Sequence, residues 1–433
     1  MGQRAARVRL LLPQAPCPGP GRRPVRSVLT PRHGALPVVR PVGEDHRATP
    51  FELFFDLVYV FAITQLTGSM ARERDADGVF RGLLMLALLW GTWSGYTWLG
   101  NHSRADGGLL RGGMVVAMAA MFVVGLTIPE AWGGGPGAFV LVGAYLLVRW
   151  VHLVVFAVAA DGDTGLRRQI AITWLPMTAS AALLVSGTLL GNRTQVLLFT
   201  IALVVDWAGI YLTARNGHWR LRSPAHLTER HGLFLILAIG ESVVAVGAGA
   251  AGRPVSAALL LAAVLGIAVA VCLWWLYFDV VAGAAARRLG RVRGEEQVVL
   301  AVEAYTYGHF PIIAGVLLTA LGIEGVVAHA GDGEPLGVFS ALALHGGVAL
   351  HLVGHLLFRL RTHRTLGRRR LAAACAVLAA APATSLLPSP AGPAGVVAVL
   401  AALIAVESAR RASRNGQGRA SLGDRPPAAG LIT

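Results

Sequence analysis

Apolar residues fall in blocks about twenty long along this chain, the length an α-helix needs to cross a bilayer core. Short connections with turn chemistry separate them, among them Gly133-Gly-Gly-Pro136, Asp161-Gly-Asp163, Gly331-Asp-Gly333 and Pro388-Ser-Pro390. The pattern predicts about twelve spans, roughly 49–70, 79–100, 110–129, 136–159, 169–190, 194–213, 229–250, 255–282, 297–321, 335–358, 369–388 and 391–409. The expected fold class is all-α, a polytopic integral membrane helix bundle whose first partner is the lipid bilayer.

Composition agrees with the pattern. The chain of 433 residues is 55% hydrophobic and only 14% charged, with a mean hydropathy of +0.60, whereas soluble proteins are about a quarter charged. Cys17, Cys272 and Cys375 lie far apart, with no disulfide or zinc spacing. The net charge of +15 comes from 38 arginines and no lysine, and its placement gives orientation. Most arginines fall in 1–48 and in alternate connections, while Arg72, Arg74, Arg81, Arg193 and Arg253 lie on the opposite side and Arg149 within a span. That asymmetry predicts N-in, C-in topology in the cell membrane and argues against nucleic acid as a partner. Residues 1–47, rich in Arg and Pro, are expected to be disordered, because the run Leu10-Leu-Leu12 is too short for a signal core. Residues 48–409 form the expected transmembrane domain, and 410–433 a flexible cytoplasmic tail.

Two stretches carry more than hydropathy. One is Thr49-Pro-Phe-Glu-Leu-Phe-Phe-Asp-Leu-Val-Tyr-Val-Phe-Ala-Ile-Thr-Gln-Leu66; the other is Glu229-Arg-His-Gly-Leu-Phe-Leu-Ile-Leu-Ala-Ile-Gly-Glu-Ser-Val-Val-Ala-Val-Gly247. With Leu273-Trp-Trp-Leu-Tyr-Phe-Asp279 and Tyr305-Thr-Tyr-Gly-His-Phe-Pro311 in support, the chain resembles the bacterial low temperature requirement A family over about 47–410. The resemblance implies a multi-pass membrane protein. It implies no reaction, since the family name records a growth phenotype.

Ionisable residues inside spans are costly, so each needs a partner or a task. Thr49-Pro50-Phe51-Glu52 has the form of a capping box, and Glu52 either caps the helix or lines a vestibule. Asp56, one turn deeper on the face that continues to Tyr59 and Ile63, is either a buried ion-pair partner or a cation or proton site. Glu241, in Gly240-Glu241-Ser242, is either a neutral buried acid or one that changes protonation, and it is the expected counterpart of Asp56. Arg149 needs a buried acid, which Asp206 or Glu241 could supply, or it binds an anion. Glu303, two turns before His309 on a similar face, is expected to pair with it. His351 and His355 form an i,i+4 pair, a weak metal signal, and His355 approaches a wet end. His231 and His351 are read as structural or vestibule residues, Asp279 and His152 as rim residues, and Trp90, Trp93, Trp98, Trp274 and Trp275 as interface or packing residues.

No nucleotide loop, Cys–zinc array or serine elbow is present, so no enzyme activity, cofactor or metal is expected. Many spans with acids and no energy-coupling motif suggest a secondary transporter or ion-conducting protein for protons, cations or a small solute. Its sites would be Asp56, Glu241, Glu303, His309, Asp206 and Arg149, at the interface of two six-helix halves, 48–213 and 229–409, if these are repeats. The alternative is a non-transporting accessory or sensor protein linked to growth in the cold, in which the polar residues only fix packing.

Overall fold

Side-chain caps set where the helices begin. A computed structural model describes Gly43 and residues 46–103, 108–160, 163–217 and 219–423; Cys17 and nearly all of 1–47 lie outside them. Helix α1 spans Pro50–Glu73 behind the N-cap Thr49. Asp75 caps α2 (Ala76–His102), Asp163 caps α5 (Thr164–Leu190), Ser223 caps α7 (Pro224–Ala250) and Ser256 caps α8 (Ala257–Tyr277). Between these lie α3 (Gly108–Thr127), α4 (Pro136–Ala159) and α6 (Asn192–Asn216). The turns are tight: Arg74 alone, in the left-handed region, closes α1.

Helix α8 passes through a π-helical segment, Phe278–Ala282, into α9 (Gly283–Arg291). Helix α10 (Gly294–Leu300) passes through a second one, Ala301–Tyr307, toward α11 (Phe310–Ala328). The chain ends with α12 (Val338–His363), α13 (Arg368–Thr384) and α14 (Ala391–Gly423). No strand occurs among the described residues; Pro335 and Pro388 form only an isolated bridge. Helix α14 continues through 410–423, where a flexible tail was expected, and 424–433 lie outside the described residues.

Among the described residues, ten helices are long and apolar enough to cross a membrane. Of the twelve expected spans, those built on α2 and α13 fall outside this set. Helix α13 has 17 residues. Helix α2 has 27 but carries Thr92, Ser94, Thr97, Asn101 and His102, all buried. A helix enclosed by other helices faces little lipid, so polar residues with partners are tolerated there.

Contacts fix the directions around this central helix. Asp56 meets Trp93 and Tyr59 meets Thr92, so α1 and α2 are antiparallel. Asp56 meets Arg230 and Thr64 meets Glu241, so α1 and α7 are parallel. The two expected halves therefore share one core.

The closest packing joins α11 and α12. Gly315 and Gly322 stand against the α12 backbone at His351 and Leu344, and Gly347 stands against Thr319. In lipid, small residues that let backbones touch gain dispersion contacts that larger side chains would prevent. Outward-facing Leu175, Leu189, Leu197, Val204, Leu260 and Val264 on α5, α6 and α8 are exposed, as lipid-facing positions should be.

Gly322→Leu is expected to destabilise the protein by at least about 1–3 kcal/mol through overpacking. Gly240→Ala, where a Cβ meets nothing within 4 Å, should not. Thermal melting of both variants in one detergent checks this; equal melting temperatures would refute the seam.

Candidate functional site

Glu52 and Asp56, four residues apart on α1, face His226 and Arg230, four apart on α7. The matched spacing makes two cross-helix pairs. Arg230 donates to both oxygens of Asp56, from Nη1 to Oδ2 at 2.6 Å and from Nη2 to Oδ1 at 2.8 Å. Trp93 of α2 donates from Nε1 to the same Oδ1 at 2.8 Å, and its ring lies 5.6 Å from the guanidinium carbon. Arg230 Nη1 also reaches the Glu52 carbonyl at 3.0 Å. Asp56 and Arg230 are 0% and 1% exposed. Two charges taken so far out of water persist only when paired and hydrogen-bonded this fully.

Glu52 does two things at once. It completes the capping box, accepting from Thr49 N at 2.8 Å while Thr49 Oγ1 accepts from Glu52 N. Its Oε1 lies 2.9 Å from His226 Nε2, and a Cβ at Gly100 would collide with that same oxygen. Glycine there lets α2 pass the cluster. His46, stacked on His226 with ring centroids 4.9 Å apart, joins Glu52 and His226 in the one group among the described residues that places three candidate ligand side chains within 4.8 Å. Glu52 is already bonded to His226, and His226 Nδ1 faces the Asn101 amide nitrogen at 3.5 Å. These contacts fit a hydrogen-bonded cluster.

Glu241 does not join Asp56. It lies eleven residues beyond Arg230 on α7, about 16 Å along the axis. Its Oε2 accepts from the Thr64 hydroxyl at 2.7 Å. Among the described residues, Glu52, Asp56 and Asp206 each have an arginine or histidine partner; Glu241, equally buried, has none.

One sequence expectation fails at the π-helical segment Ala301–Tyr307. Six residues at about 100° each leave Glu303 and His309 roughly 120° apart even on a regular helix, so they share no face. Glu303 pairs with Arg361 of α12. His309 instead meets the Tyr277 hydroxyl through Nε2 at 2.8 Å and the Ala304 carbonyl through Nδ1 at 3.1 Å. The segment also shifts a carbonyl. Five residues past Thr306 is Pro311, which has no N–H to offer, and Trp90 Nε1 donates to the Thr306 carbonyl at 2.6 Å.

His355 does not meet water as its position suggested. It is 0% exposed, and its Nδ1 lies 2.8 Å from Arg370 Nη1. Arg370 binds Glu407 of α14 through Nε at 3.0 Å and Nη2 at 2.9 Å, and it also reaches the Leu276 carbonyl. His351 directs Nδ1 to the Ile312 carbonyl, and His231 directs Nδ1 to that of Leu227. The Nε2 atoms of both are buried without partners. Asp279 pairs with Arg411 at the surface, as a rim residue would.

Arg149 takes Asp206 as its acid. Beside this pair lies an enclosed cavity with about 80 Å³ open to a water-sized sphere, between α2, α4, α5, α6 and the Ala301–Tyr307 segment. Its polar lining includes Ser94, Arg149, His152, Thr173 and Thr306; Trp98, Phe156, Met177 and Trp219 supply apolar wall. His152, expected at the rim, lies inside against Gly95. Thr306 Oγ1 accepts from Ser94 at 3.3 Å and from Trp98 Nε1 at 3.2 Å. Trp90, Trp93 and Trp98 are therefore buried donors rather than interface residues, while Trp274 and Trp275 are exposed.

Sequence reasoning missed Arg230, His226, Trp93 and Arg370. The shared four-residue spacing of Glu52/Asp56 and His226/Arg230 is a signal that points to the first two. Arg370 and Glu407 carry none, because their pairing depends on how α13 meets α14.

These features define a polytopic helical membrane protein with paired charges in its core. The family model described as bacterial low temperature requirement A protein matches residues 47–405, and the chain belongs to that family. It is similar to an uncharacterized protein of Rhizobium meliloti, 28% identical over 324 residues, which cover 73% of this chain and 78% of the relative. No solved structure matches the chain.

Asp56→Asn is expected to cost about 3–5 kcal/mol by stranding the Arg230 charge, and Asp56→Leu with Arg230→Met to recover part of that. Denaturation of the folded protein in detergent measures both. A single variant as stable as wild type would show that the pair does not hold α1 to α7.

Proposed function

We propose that this protein is a secondary transporter of the cell membrane, carrying a small, largely apolar solute with one acceptor group. The observation that carries the proposal is the enclosed cavity holding Arg149, His152 and Thr306 among aromatic walls. Small-molecule sites have this character: concave, mostly apolar, with a few placed polar groups. Asp206 compensates the Arg149 charge, so the site favours a neutral solute or one whose carboxylate displaces Asp206. Glu241 is the candidate for proton coupling, because no fixed cation holds it ionised and its known contact is a hydroxyl.

One observation favours the second reading, a non-transporting accessory or sensor protein. Asp56, Asp206, Glu303 and Glu407 each close on an arginine, as expected where charges only fix packing.

Purified protein in liposomes loaded with a pH-sensitive dye separates the readings. Wild type, challenged with a panel of cations and small solutes, should move protons with at least one of them. Glu241→Gln should lose the proton signal while remaining folded, and Met177→Trp, which fills the cavity, should lose solute dependence. No flux from wild type with any member of the panel would sink the transport reading.

A further inference from the structure

A second pocket, separate from the cavity above, lies where α12 ends, α13 begins and α14 runs past the Phe278–Ala282 segment. Its volume is about 750 Å³, and it is lined by Arg359, His363, Arg368, Arg369, Arg410 and Arg411. Little opposes that charge. Glu407, the acid in its wall, is held in two hydrogen bonds by buried Arg370 beneath. Arg411 is paired with Asp279. Arg359, Arg368, Arg369 and Arg410 form no ion pair among the described residues. Four like charges around one concavity repel one another unless an anion sits among them. Guanidinium forks match phosphate oxygens in bidentate geometry.

The surroundings select the source of that phosphate. Leu366 lines the pocket and is exposed, and Leu357 and Leu360 on α12 and Leu371 on α13 are exposed too. The helices that carry the basic pocket thus also carry exposed leucines. A soluble phosphate has no use for them, whereas acyl chains do. We propose that this pocket binds the phosphate group of an anionic phospholipid, with the acyl chains lying along Leu357, Leu360, Leu366 and Leu371. The anchor ties α12, α13 and α14 together at one membrane face, over the buried Arg370–Glu407–His355 cluster.

The test uses the full chain in detergent, titrated with phosphatidylglycerol or phosphatidylcholine and read by native mass spectrometry for lipid retained. Wild type should hold phosphatidylglycerol in preference. Arg368→Gln/Arg369→Gln/Arg410→Gln should weaken that binding at least about tenfold, the scale expected for removing several arginines near a lipid phosphate. Single Arg410→Gln, on an exposed stretch of α14, should weaken it partly and keeps the test valid if the triple variant misfolds. Arg168→Gln/Arg215→Gln/Arg220→Gln, which removes equal charge from α5, α6 and the segment after α6, should leave it intact. Equal retention by the pocket variants, or equal loss in the control, would overturn the proposal. So would displacement of the lipid by millimolar inorganic phosphate, which would make the occupant a soluble anion.

Discussion

The bidentate contact between Asp56 and Arg230 is the constraint around which the rest is arranged. It joins the first helix to the seventh at 2.6 and 2.8 Å, and the Trp93 indole brings in the second. Neither charge could remain in such a setting alone, since each would face desolvation costs of several kcal/mol. Once paired, they set the register of α1 against α7, which in turn places Thr64 against Glu241 farther along the same interface. Glu52 and His226 repeat the contact one turn nearer the helix starts, so two successive turns of each helix are keyed to the other. A slip of one residue would break both pairs together.

Around this key the other elements divide the work. Helix α2 is enclosed and supplies hydrogen-bond donors inward: Trp90 and Trp98 to Thr306, Trp93 to Asp56. Helices α11 and α12 meet through glycine, backbone against backbone, a contact that leaves no room for rearrangement without separating them. Helices α5 and α6 pack largely on each other and present leucines outward. The cavity lies between the enclosed helix and this outer pair.

Much of the fold was legible in hydropathy, because length and apolarity alone mark a helix that must meet lipid. Helix α2 shows where that signal weakens. Its buried Thr, Ser, Asn and His face protein, so its composition no longer reports a membrane. The capping box at Thr49–Glu52 was also legible, since its two hydrogen bonds are local in sequence. The partners were not. Asp56 pointed to Glu241 as an acid on a corresponding helix, while its partner was Arg230, which sequence reasoning did not weigh. Glu303 and His309 were misjudged for a different reason: six residues at about 100° each leave side chains roughly 120° apart, so the spacing never placed them on one face.

The separation of Asp56 from Arg230 along the chain, 174 residues, has a consequence for how the molecule is made. At about 5–20 residues per second of synthesis, roughly 10–35 s pass between the appearance of the acid and that of its guanidinium. Throughout that interval the first helix has no Arg230 to neutralise its carboxylate. It must wait at the water boundary or enter lipid with the carboxyl neutral. Arg370 and Glu407, 37 residues apart, face a far shorter wait. The key that fixes the finished bundle thus waits on α7, and the arrival of α7 is the event that commits α1 to its final depth.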